Sequence, residues 1–165
     1  MAAAELRSIR DHNPIDLIEQ VSHEHNWTFE RSTEDELTMN VAGSWADYHM
    51  SLNWRDDIEA LHMACAFDLK VSESRLPEVY KLIAQINEQL WMGHFDLWIQ
   101  DGILMFRHAL MLNGTVATTG QCEALLCWAL EACERYYQAF QYVVWAGKNS
   151  REALTGTMFE TEGQS

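Results

Sequence analysis

NEQLWMGHFDLWIQDGILMFRHALMLN, residues 87–113, decides the architecture of this chain. It opens on the last turn of a helix. Two strand-like runs follow, 94–100 and 103–112, around Asp101-Gly102. Asp-Gly between such runs is the strongest short-range hairpin signal, because glycine supplies the positive φ that tight hairpin turns need. The stretch holds no nucleophile beside a base, no phosphate-binding glycine loop and no metal-ligand spacing. It reads as scaffold: helix, strand, turn, strand.

Upstream, Leu76, Val79, Tyr80, Ile83, Ile86 and Leu90 recur at helical spacing after Ser72 and Ser74, with Gly93 as the stop. Three alternating runs come before that helix. They are Leu37, Met39, Val41; then Tyr48, Met50, Leu52, Trp54; then Leu61, Met63, Cys65, Phe67. Turns at Gly43-Ser44 and at 55–58 make these an antiparallel meander with one wet face. Asn13-Pro14 starts a first helix that should run to about Asn26, since Asn caps and Pro at the first helical position loses no needed N–H. Trp27 to Arg31 is a short extended piece. Downstream, Thr118 or Thr119 opens the longest helix, whose apolar face is Cys122, Leu125, Leu126, Ala129, Cys133, Tyr136, Phe140 and Val143/Val144. It ends near Gly147. The expected order is α-β-β-β-α-β-β-α, an α+β fold with a five-stranded antiparallel sheet and helices on one face. Residues 13–147 make one domain, 1–12 a leader, and 148–165 a short helix and tail.

With 165 residues and 48% apolar content the chain buries a core without disulfides or metal. Its 25 acidic residues against 11 basic give a net charge of −14. Such a field repels nucleic-acid backbones and anionic membranes and suits basic or amphipathic partners. Cys65, Cys122, Cys127 and Cys133 form no C-x-x-C and sit in apolar patterns, as small core hydrophobes in a reducing compartment do. No secretory signal opens the chain and no apolar run approaches the roughly 20 residues of a membrane span. A cytoplasmic location is expected.

The element order, small size and acidity resemble the fold of type III secretion chaperones. The residues resemble a more specific group, the YbjN-like family of bacterial sensory transduction regulators. The resemblance runs from about Pro14 to Gly163. It is carried by Asn87-Glu88-Gln89-Leu90, Gly93-His94-Phe95, Asp101-Gly102-Ile103-Leu104-Met105-Phe106-Arg107, the helix Glu123 to Tyr137, and the ending Ala153-Leu154 with Glu160-Thr161-Glu162-Gly163. It implies a chaperone-like α+β fold, a bacterial cytoplasmic setting and a role in binding or regulation. It supplies no catalytic residues. A chaperone for a secreted or partner protein is the alternative reading, and a small-ligand or metal-dependent enzyme or sensor the second.

Candidate sites are few. His23-x-His25 ends the first helix, where two His two apart cannot share a face. A four-residue turn at 55–58 pairs Leu52 with Leu61 and Met50 with Met63, leaving His49 and His62 diagonal, roughly 7–8 Å apart. Two His are too few for zinc, so no metal and no cofactor are expected. A two-residue Asp101-Gly102 turn sets Asp96 opposite Arg107, and the preferred role for both is a structural cross-strand ion pair. The same pairing sets Trp98 opposite Met105, on the face away from Phe95, Leu97 and Ile99, with Met111 nearby. Trp98, Met105 and Met111 would then form an apolar outer patch. Either the C-terminal segment covers that patch or it is a protein-interaction surface, and a homodimer is the expected partner arrangement.

Overall fold

The computed structural model describes residues 13–162. The leader 1–12 and the last residues of the expected tail lie outside that range. Helix α1 (Pro14–Glu24) leads into strands β1 (Thr28–Thr33), β2 (Glu36–Ala42), β3 (Asp47–Arg55) and β4 (Ala60–Lys70). A 3-10 turn (Glu73–Arg75), helix α2 (Leu76–Gln89), strands β5 (His94–Trp98) and β6 (Ile103–Met111), and helices α3 (Thr119–Val144) and α4 (Ser150–Glu162) complete it. The strands form one antiparallel six-stranded sheet in the order β1-β2-β3-β4-β6-β5. The expectation of five strands is therefore one short.

The missing strand is β1. Phe29 and Arg31 pair inward, opposite Met39 and Leu37, but Phe29 is its one apolar residue and the rest of the strand is polar and mostly exposed. An edge strand is held by its backbone ladder and needs little apolar patterning. What ties β1 down is charge and side-chain hydrogen bonding. Arg31 bridges Asp16 and Glu19 of α1 at 2.7 and 2.9 Å and donates to the Glu34 carbonyl. Asn13 donates to Asp35 with one end of its amide and caps Ile15 N–H with the other.

The helices cover one side of the sheet. Leu37, Met39, Met50, Leu52, Met63 and Cys65 are buried beneath them with Phe95, Phe106 and Phe140. The α3 stripe read from sequence is buried from Cys122 through Val143, behind a Thr118–Gln121 capping box. Helix α2 differs from its expected stripe. Leu82 is buried and Tyr80 is 42% exposed, and the helix stops at Gln89, ahead of Gly93. Gly93 has a different task at the start of β5, where its φ is +72° and a Cβ would meet Phe106 Cζ at 2.3 Å. Beside it, the Asn87 amide grips the backbone of Phe95, accepting from its N–H at 2.8 Å and donating to its carbonyl at 3.1 Å. Helix α4 belongs to this body. Ala153 is fully buried, and Arg75 donates to the Val143 and Lys148 carbonyls across the α3–α4 connection.

Both hairpin registers differ from expectation by two residues. The β3–β4 turn spans 56–59, with Glu59 at φ +50°, so Leu52 faces Met63 and Met50 faces Cys65. The β5–β6 loop spans 99–102. Gly102, at φ +65°, closes it by donating its N–H to the Trp98 carbonyl at 2.8 Å. Asp101-Gly102 is the end of a four-residue loop, and Asp96 faces Met105, not Arg107. A slip of two keeps every side chain on its own face, which is why the core survives the error.

Candidate functional site on the open face of the sheet

The side of the sheet away from the helices carries three rows of paired residues. Thr38, Ser51, Ala64, Arg107 and His94 form the middle row. Asn40, His49, Ala66, Met105 and Asp96 lie on one side of it, and Glu36, Asn53, His62 and Ala109 on the other. Small residues at 51, 64, 66 and 109 make the centre of this face a shallow trough. Among the described residues no helix or strand covers it. Where β4 bulges between Ala66 and Lys70, the face opens into a depression of about 520 Å³ whose lining includes His49, Asp47, Asp68, Lys70 and Asp101.

A polar network crosses β4, β6 and β5. Arg107 Nη1 lies 3.0 Å from Asp96 Oδ2, and Arg107 Nε donates to His62 Nε2 at 3.2 Å. The other Asp96 oxygen accepts from the Leu97 N–H at 2.8 Å. Although Asp96 and Arg107 are not directly opposite, the diagonal is within reach of a long side chain. Both groups are partly exposed, so the pair contributes roughly 0.2–1 kcal/mol and serves mainly to position the guanidinium.

The bond to His62 has a consequence for protonation. Nε2 accepts, so the imidazole is neutral with its proton on Nδ1. Burial lowers the His62 pKa from its ordinary 6.5, and the neighbouring Arg107 and His94 add to the effect. A histidine whose pKa is lower folded than unfolded contributes stability that is complete above about 6.5 and is lost as the pH falls from there to the folded-state value. We expect nitrogen-detected NMR to show the Nδ1–H tautomer, and the His62 titration to lie below 6.5. A midpoint above 6.5, or a proton on Nε2, would contradict the network.

The expected patch of Trp98, Met105 and Met111 does not form. Trp98 faces Ile103 and is 53% exposed at the tip of the hairpin, with Ile99 exposed beside it. Met111 faces Ala60 and is exposed at the far end of β6, eight residues from Ile103, or roughly 27 Å at about 3.4 Å per residue. Met105 lies between them but is only 3% exposed. The register sets Ala66 and Asp96 on either side of it and the Arg107–Asp96 pair alongside, which accounts for its burial. His49 and His62 do not meet either. His49 faces Ala66 and bonds Asn40, whereas His62 faces Asn53, roughly 13 Å further along β4. A shared ligand site at those two residues is therefore ruled out by the register.

Metal-capable side chains gather elsewhere. His25, Glu123 and Cys127 bring three ligand atoms within 4.8 Å of one another on the helical side. Sequence reading missed them because they are far apart in the chain. The one local signal was the i, i+4 spacing of Glu123 and Cys127, which puts both on one helical face.

The family model whose description reads "Putative bacterial sensory transduction regulator" matches residues 14–142. The chain belongs to the YbjN family. The match spans α1 through most of α3, so the sheet and its open face lie within the YbjN domain. The crystal structure of YbjN, a putative transcription regulator from E. coli, superposes with a TM-score of 0.54 at 11% identity, covering 73% of this chain and 85% of that one. At that identity the likeness concerns the fold. No curated protein sequence matches the chain. Among the described residues no helix is long and apolar enough to cross a membrane.

The segments that resemble the YbjN family map onto scaffold. Asn87 clamps β5, Gly93 admits Phe106, and Gly102 closes the hairpin loop, its carbonyl accepting from Val71 N–H at 2.9 Å. Of these segments, His94, Met105 and Arg107 lie on the open face.

Proposed function

We propose that this YbjN protein is a non-catalytic cytoplasmic regulator that binds another polypeptide along the trough of β3, β4 and β6. The observation that carries the reading is the open face itself. Helices take up the other side of the sheet, while this side keeps a strip of small side chains at Ser51, Ala64, Ala66 and Ala109 among the described residues. Extended polypeptide fits against small residues because its own side chains supply the bulk. Arg107, held by Asp96, presents a positioned donor at one border of the strip. The carboxylates of Asp47, Asp68 and Asp101 border the depression at its end, and a net charge of −14 steers basic segments toward it. The partner of this reading is therefore a protein with a basic extended segment.

A photoreactive residue in place of Ala64, compared in cells with one in place of Lys81 on the exposed side of α2, tests it. The expected result is an adduct with one basic protein from position 64 and none from 81, abolished when Ser51→Arg, opposite Ala64, blocks the trough of the same chain. The same adducts from both positions, or none from 64, would overturn the reading. An adduct of twice the chain's own mass would replace the heterologous partner by a second copy.

A further inference from the structure

We propose that His25, Glu123 and Cys127 form a binding site for one zinc ion, joining the end of α1 to the first half of α3. The three ligand atoms already lie within 4.8 Å of one another, with His25 Nε2 and Glu123 Oε1 at 2.9 Å. Zinc bonds of about 2.0–2.3 Å in tetrahedral geometry set ligand atoms roughly 3.3–3.8 Å apart. The cluster thus needs shifts of about an ångström, within the reach of the Glu123 and Cys127 side chains on a fixed helix.

The backbone under each ligand is held in place. His25 caps α1, its N–H bonded to the Val21 carbonyl at 3.1 Å, and its ring stacks on Trp27 at 4.3 Å with an interplanar angle of 11°. Glu123 and Cys127 stand one helical turn apart on α3 and project from the same face. An imidazole nitrogen, a thiolate and a carboxylate suit zinc and disfavour magnesium and calcium, which take oxygen ligands. Three protein ligands leave a fourth position for water or an incoming group, the pattern of an exchangeable site rather than a closed structural one.

Binding is a balanced exchange. The Cys127 thiol is protonated before the metal arrives, because burial and the carboxylates of Glu123 and Glu131 push its pKa up. Zinc takes the thiolate and one proton leaves to solvent. The His25–Glu123 contact opens, and the two groups turn their lone pairs to the ion.

The full-length chain, purified without a histidine tag, tests the proposal with cobalt(II) as a spectroscopic probe and zinc as competitor. We expect one equivalent of cobalt to give a thiolate-to-metal charge-transfer band in the near ultraviolet, and one equivalent of zinc to erase it. Cys127→Ser should abolish that band. His25→Ala and Glu123→Gln should each weaken zinc binding roughly tenfold or more, while His49→Ala should leave it unchanged. Circular dichroism of each variant checks that it folds, and Cys127→Ala serves if the serine variant does not. Cobalt bound without a thiolate band, or zinc bound equally well by the Cys127 variant, would overturn the site and leave an ion pair between two helices.

Discussion

Phe140→Ala lowers the free energy of unfolding by roughly 3–5 kcal/mol. Phe140 is fully buried in α3 and its ring meets Phe67 at 5.6 Å and Phe95 at 5.2 Å. Those two rings come from β4 and β5, with β6 between them in the sheet. One side chain therefore couples the long helix to the two strands that flank β6. Truncation removes the buried ring's transfer free energy and leaves a cavity lined by aromatic groups that cannot collapse into it. Urea unfolding followed by tryptophan fluorescence reads the change as a shift in midpoint at constant slope. A midpoint equal to that of the parent chain would mean that the helix presents a different face to the sheet.

Gly93→Ala should cost roughly 2–5 kcal/mol, from two sources. A non-glycine residue at φ +72° carries about 1–2 kcal/mol of backbone strain. Its Cβ would also stand 2.3 Å from Phe106 Cζ and 2.8 Å from the Arg107 carbonyl oxygen. Phe106 is fully buried, packed against Phe95 at 5.3 Å, and overpacking a filled core adds roughly 1–3 kcal/mol. Gly114 provides the control. It has a similar φ of +69°, but a Cβ there meets nothing within 4 Å. Gly114→Ala should show the backbone cost alone, so the difference between the two variants isolates the packing. Equal losses in the two would show that the β5 entrance yields to the extra methyl group.

The open face links these scaffold features to function. Phe106 and Arg107 are neighbours on β6 and point to opposite sides of the sheet. Pressure on Phe106 from Gly93 is thus applied to the strand that positions Arg107 against Asp96 and His62. Gly93→Ala is expected to disturb that polar network as well as the core, and the His62 titration is the readout for it.

Alternation and helical period by themselves determined most of the residues that are inside, with Tyr80 and Leu82 of α2 among the exceptions. Leu37, Met50, Met63 and the α3 stripe were legible because each pattern repeats several times and each repeat is decided by burial of its own side chains. Asn13 was legible as a cap, and the start of α3 was legible to within Thr118 or Thr119, because capping is a local hydrogen bond between neighbours. The register of neither hairpin was legible. Pairings two residues apart bury the same faces, and the choice rests on how Glu59 and Gly102 close their loops in three dimensions. Strand β1 was hidden because a polar edge strand owes its place to the β2 ladder and to Arg31 reaching α1. The tertiary structure alone decided that Met105 is covered, that Trp98 and Met111 are far apart, and that His25 meets Glu123 and Cys127. Each of these depends on distances between segments far apart in the chain, which no local pattern of side chains encodes.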